Sequence, residues 1–172
     1  MPYVGTVRVY EIDAKNSPDP TDQSSMPDPE TESRIFQFQH CVELPTRAED
    51  GAPMQGAQNR AIQFVKEQDE ESIVWQQYIL EEGLADRLMV TFDWQNHDEF
   101  GNKLIFYLAS LVGVEIVRIT TVMPDSIDED EVSNSRMNQL IELRYATISH
   151  IGGPTLNKVT TADWYHKRQG AS

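Results

Sequence analysis

Leu88-Met89-Val90-Thr91-Phe92-Asp93-Trp94 is a run in which a large apolar side chain falls on every second residue. Two is the period of a pleated strand, so Leu88, Val90, Phe92 and Trp94 are expected to face a core, with Met89, Thr91 and Asp93 on the other side. Just downstream, Gly101-Asn102 supplies the turn chemistry of a hairpin that brings the chain back as a second strand from Leu104. From there to residue 123 the chain is apolar at both parities, the pattern of a strand buried on both faces, inside the fold or at a partner surface. The same alternation recurs on either side. Ile141, Leu143 and Tyr145 alternate with Glu142, Arg144 and Ala146, and Val7 and Val9 alternate with Thr6, Arg8 and Tyr10 in a first strand over about 3–12. Phe36, Phe38, His40, Val42 and Leu44 alternate with polar neighbours up to Pro45, and Ile62-Gln63-Phe64-Val65 adds a short strand.

One segment keeps another period. Val74, Trp75, Tyr78 and Ile79 recur at helical spacing, which predicts a helix over about 70–82. Asp69 is placed to cap its first turn, Glu70 and Glu71 complement the positive end of its dipole, and Gly83 suits a left-handed C-terminal cap. Many short strands around a single helix define a mainly β domain, a sandwich or a barrel, spanning residues 1–172 as one unit.

Composition removes several functions. The 28 acidic against 14 basic residues leave a formal charge of −14. Such a chain lacks the lysines and arginines that displace counterions from nucleic acid or dock on an anionic membrane. The longest apolar run, 104–114, is far short of the roughly 20 residues a membrane span requires. Cys41 is the single cysteine, which fits folding in a reducing compartment, and the first residues read as no classical signal peptide. Three loops are long: an acidic, proline-rich stretch at 16–33 expected to be mobile, an extended connection at 46–59, and a loop at 124–138 that carries Asp128-Glu129-Asp130-Glu131.

Catalytic signals are weak. Asp93, His97 and Asp98 form a conceivable metal set for a hydrolase, but they read more simply as polar residues around a hairpin end. His40 reads as a satisfied core histidine, and His150 and His166 have no second ligand at a recognisable spacing. Cys41 adjoins His40, yet neighbours on a strand point to opposite faces and cannot act as a pair. Neither a catalytic centre nor a cofactor site is expected. Weight shifts to assembly, because the stretch 103–123 and the helix stripe around Trp75 and Tyr78 offer more apolar surface than one small sheet obviously covers. A monomeric acidic module that uses its loops to bind a basic partner is the reading of a different class.

The order of segments resembles the haemolysin-coregulated protein (Hcp) family, the tube proteins of type VI secretion systems. Ala61-Ile62-Gln63-Phe64-Val65-Lys66-Glu67-Gln68-Asp69 followed by a short helix is similar to that family's strand–TKxxD–helix segment. Ile116-Val117-Arg118-Ile119, then Met123-Pro124, a polar loop, Glu142 through His150 and finally Asp163-Trp164 follow the order of its C-terminal half. The resemblance implies a β-barrel of two packed antiparallel sheets with one flanking helix, six copies to a ring, and rings stacked into a hollow tube. It also implies a spike protein (VgrG-like), a contractile sheath and secreted effectors as partners, and folding in the bacterial cytoplasm before one-step export without a signal peptide. A bacteriophage or other contractile-particle tail tube protein shares this architecture. In the family the loop after the second strand touches neighbouring subunits or rings. The candidate contacts here are Arg47, Glu49, Asp50, Met54, Gln55 and Arg60, with Trp75 and Tyr78 from the helix.

Overall fold

The computed structural model describes residues 4–13, 18–19, 22, 25–53, 56–81, 87–97, 99–122, 137–152 and 158–163. In chain order they form β1 (Val4–Glu11), β2 (Thr31–Gln39), β3 (Val42–Glu43), β4 (Gln58–Asn59), β5 (Ile62–Glu67), α1 (Ser72–Leu80), β6 (Leu88–His97), β7 (Lys103–Val112), β8 (Glu115–Val122), β9 (Asn138–Arg144), β10 (Thr147–Gly152) and β11 (Lys158–Asp163). Nine strands make one antiparallel ladder in the order β11-β10-β7-β6-β1-β2-β5-β9-β8, and β3 pairs only with β4. The mainly β class with a single flanking helix is the architecture expected.

The ladder folds over one core. β7 runs directly into β8, and β9 into β10, yet the members of each pair lie in opposite halves of the ladder. Both passages turn at one corner. Gly113 has φ +70° there, and a Cβ added to it would meet the Cβ of Ala146 at 2.7 Å. The Ala146 amide donates to the carbonyls of Val112 and Gly113 at 3.0 and 3.2 Å. With the corner closed, Leu111, Val114 and Ile148 join Ile62, Phe64, Ile141 and Leu143 in a single apolar cluster. Phe92 and Phe64 meet edge-on at 5.1 Å between ring centroids, an arrangement aromatic pairs prefer.

On β6 the expected alternation holds for the core set: Leu88, Val90 and Phe92 are buried. The opposite face is buried as well. Tyr10, Ile12, Met26 and Val112 cover Met89 there, while Thr91, Asp93 and Gln95 form a closed polar strip. Met26 belongs to the 16–33 stretch expected to be mobile, and residues 31–33 of that stretch open β2 with Thr31 and Ser33 facing inward.

Two expectations are corrected. The single strand over 36–44 ends at Gln39 and resumes only as the short β3, and a register shift between Ile35 and Gln37 turns Phe36 outward to 49% exposure while Phe38 packs on Phe92 and Trp94. A bulge inserts one residue and so inverts the facing of what precedes it. Val42 and Leu44 are likewise exposed, on β3 and just beyond it. The stretch 103–123 is two strands. Only its middle, from Leu108 to Leu111, is buried at both parities, whereas Leu104, Phe106, Val117 and Val122 are exposed.

The helix begins at Ser72 rather than near 70, and its cap is different. Glu71 holds the N-cap position with no side-chain cap hydrogen bond. Asp69 instead takes a bond from the Nζ of Lys66 at 2.9 Å, and Lys66 also donates to the Ser72 hydroxyl at 2.9 Å and to the Glu67 carbonyl at 2.8 Å. Lys66 follows Ile62 and Phe64 on the inward face and is wholly buried, so its charge is satisfied only through this knot. Gly83, the expected C-terminal cap, lies outside the described residues.

Phe92→Ala is expected to lower stability by about 3–5 kcal/mol, the range for deleting a buried ring, whereas Phe36→Ala changes it by under about 1 kcal/mol. Urea unfolding of the two variants checks the bulge: equal losses would place both rings in the core.

Candidate assembly surface

The projecting part of the molecule is the connection between β2 and β5. Its root is the β3–β4 pair, Val42 opposite Asn59 and Glu43 opposite Gln58, tied further by the Arg60 amide donating to the Cys41 carbonyl at 2.9 Å. Farther out, Thr46 bridges to Pro53, and the Arg47 amide donates to the Ala52 carbonyl at 2.8 Å. The tip turns on Gly51, whose φ of +68° suits a residue without Cβ. Asp50 rigidifies the turn by taking the Ala52 amide at 2.9 Å and the Arg47 guanidinium at 3.0 Å. So the segment expected to be an extended loop is a narrow hairpin arm. Arg47, Glu49 and Asp50 stand exposed at its tip, and Arg60 at its root is ion-paired with Glu43. Met54 and Gln55 lie outside the described residues.

Trp75 is not available to a neighbour, which corrects its place among the contacts. It is fully buried, with its ring 5.4 Å from that of Phe64, because the helix lays its apolar stripe on the core. Tyr78 is half-buried beside it, its hydroxyl pKa pushed up to about 12 by burial first and then by Glu11, Glu30, Glu81 and Glu71. The surface of α1 is formed instead by Ile73 and Leu80, 62% and 82% exposed.

The ladder ends in two open edges. β8 bonds only to β9 and β11 only to β10, leaving the outer side of each strand without a partner strand among the described residues. Both edges are threonine- and valine-rich and exposed, with Val117 and Val122 on β8 and Val159 on β11. Beside the arm root, Gln39, Cys41, Arg60, Gln63, Val117, Glu142 and Arg144 line an open groove of about 430 Å³.

Of the conceivable hydrolytic set, only Asp93 has a described side chain. Asp93 is buried inside β6, where the guanidinium of Arg8 and the amide of Gln95 occupy its carboxylate. Asp98 and the side chain of His97 lie outside the described residues, as does His166. Among the described residues, no three His, Cys, Asp or Glu side chains are grouped so as to hold a metal ion.

Sequence reasoning missed one cluster. His40 does find a partner, as a satisfied core histidine should: its Nε2 lies 2.9 Å from the Tyr145 hydroxyl, which donates to the Arg60 carbonyl at 3.1 Å. It also faces His150, ring centroids 5.2 Å apart, and His150 Nδ1 is hydrogen-bonded to the Tyr107 hydroxyl. Burial pushes both imidazole pKa values below 6.5; for His40 the neighbouring His150 adds to the fall and Asn59 opposes it. His40 and His150 are 110 positions apart in the chain, and only the topology joins them.

The described chain is therefore an antiparallel β domain that encloses its own core, packs one helix on it, and projects a rigid hairpin arm. That set of features matches the fold of solved Hcp structures. No protein-family model matches the sequence, and no curated protein does. Solved structures do match. A structure described as Hcp protein superposes with TM-score 0.72 at 13% identity, over 96% of this chain and 99% of the other. Secreted protein Hcp3 from Pseudomonas aeruginosa gives 0.62 at 14% identity, over 96% and 100%. A type VI secretion system effector from Yersinia pestis gives 0.56 at 13% identity, over 94% and 99%.

Replacing Arg8 by Met strands the buried carboxylate of Asp93 and is expected to cost about 3–5 kcal/mol, while Arg8→Met combined with Asp93→Leu recovers most of that loss. Denaturant midpoints of the single and double variants measure it, and additive losses would show that the pair is not coupled.

Proposed function

We propose that this chain is the structural subunit of a type VI secretion inner tube: six copies form a ring, rings stack into a hollow tube, and the tube is expelled with spike and effectors. The observation that carries the reading is the Hcp fold over nearly the whole chain, ending, among the described residues, in two unpaired strand edges on opposite ends of one ladder. An edge that nothing covers invites another strand, and a head-to-tail contact between unlike edges generates a closed ring when its rotation divides the circle. The arm supplies the axial contact, with Arg47, Glu49 and Asp50 meeting the next ring. The reading assigns no catalytic residue and no cofactor. Among the described residues no helix is long and apolar enough to cross a membrane. The protein folds in the bacterial cytoplasm and leaves it through the secretion apparatus, with the VgrG-like spike and the contractile sheath as its partners.

Charge sets the conditions. Six copies at −14 each repel one another, so contacts rest on apolar and hydrogen-bonded surface, and salt that shortens the repulsion to about 8 Å favours close approach.

Native mass spectrometry is expected to find six times the 19.6 kDa subunit. A persistent single subunit at high concentration would leave the monomeric acidic module as the better account. Deleting 47–52 is expected to keep the fold and the ring but abolish stacking, and light scattering of the intact protein is expected to rise from low to moderate salt.

A further inference from the structure

We propose that His40 and His150 form an acid-sensitive latch at the root of the arm, closed when both imidazoles are neutral and opened by their protonation. The geometry ties the arm root to the corner between β9 and β10 through this cluster. His40 is the last residue before the arm, and Cys41 and Arg60, the pair that closes the root, follow β2 and precede β5. Tyr145, at the corner between β9 and β10, holds the root from both sides, with its hydroxyl between the His40 imidazole and the Arg60 carbonyl. Because that hydroxyl spends its proton on the Arg60 carbonyl, His40 Nε2 is the donor to it, and this fixes the His40 tautomer. His150 stands against the other face of His40 from β10, steadied by Tyr107 of β7.

Among the described residues, no carboxylate is a cause of either imidazole's shift, so none is shown as a counter-charge for an imidazolium. Facing the pair are the phenols of Tyr107 and Tyr145 and the amide of Asn59; beside His150, β7 and β11 place Ala109 and Thr160 in register. Of the charged groups on the packed elements, Glu142 of β9 pairs with Arg118 at 4.0 Å and Lys158 opens β11 opposite Gly152. Arg60 and Glu43 of the arm bond to each other, and Arg144, one residue before Tyr145, lines the outer groove with Arg60. A proton on either ring is therefore poorly solvated, and a second proton meets the first across 5.2 Å. In a released arm root the His40 imidazole returns to its ordinary pKa of 6.5, and His150 loses the ring that covers it. Since the closed state holds both imidazoles below that value, its stability is complete above 6.5 and is lost as the pH falls toward the closed-state pKa values. Acid favours release.

The effect of release on ring stacking rests on the proposed function; the latch itself does not. The test is amide exchange of the isotope-labelled full chain, read as protection factors at about pH 7.5 and pH 5, together with the imidazole titration followed by NMR. The expected result is loss of protection at Arg60 and the β3–β4 amides in acid, with β1 and β6 unaffected, and both imidazoles titrating below 6.5. In His40→Gln/His150→Gln that acid-dependent loss disappears. Overturning results are imidazoles in the wild-type protein that titrate at or above 6.5, or an arm whose protection is the same at both pH values. Exchange at the arm root is measured at any oligomeric state, so failure to find rings would refute the tube reading and leave this result intact.

Discussion

A nine-stranded antiparallel ladder has too much twist and too many apolar side chains on one face to stay open, and this one is folded over at a single close contact. At the corner Gly113 passes Ala146 so closely that no side chain fits between them, with the backbone held in a left-handed conformation that other residues adopt at a cost. The bonds from the Ala146 amide then fix the two passages to each other. Everything that makes the molecule one folded body follows: β7 and β10 share one core with β9 and β5, and Phe64, Phe92 and Phe38 pack through its centre.

A second constraint is electrostatic. Burying Lys66 under the start of α1 requires Asp69 and Ser72 to be where they are, so the cation dictates where the helix begins. The helix in turn delivers Trp75 onto Phe64. Such an ion pair adds little net stability over apolar residues of similar size, but removing one partner is severely unfavourable, which makes it a device for geometry. Arg8 and Asp93 repeat the arrangement on the outer face of β1 and β6.

Much of this was legible in the chain. The alternation in Leu88–Phe92, Ile141–Tyr145 and Val7–Val9 names the core correctly, because period two reports facing wherever the ladder is regular. It misplaced Phe36, since a bulge shifts parity without leaving a mark in the residues themselves. From the sequence Trp75 reads as surplus surface, because periodicity shows that a helix has an apolar stripe and cannot show which mass of protein covers it. Lys66 did carry a signal: it occupies an inward position after Ile62 and Phe64, where a charge demands a partner nearby. The arm's internal bonds and the meeting of His40 with His150 had none, because both depend on which strands the ladder sets side by side.

The corner also settles the shape of the subunit as a building block. β8 and β11 are the two ends of the ladder, and the turn at Gly113 carries the chain from the half that holds β11 to the half that holds β8. In a head-to-tail assembly the wedge angle between those two edges counts the copies: a slightly wider fold would admit fewer before closing, and a wedge that misses closure would wind into an open helix. In the proposed ring, a glycine with no room for a side chain would thus bear on the bore of the cylinder.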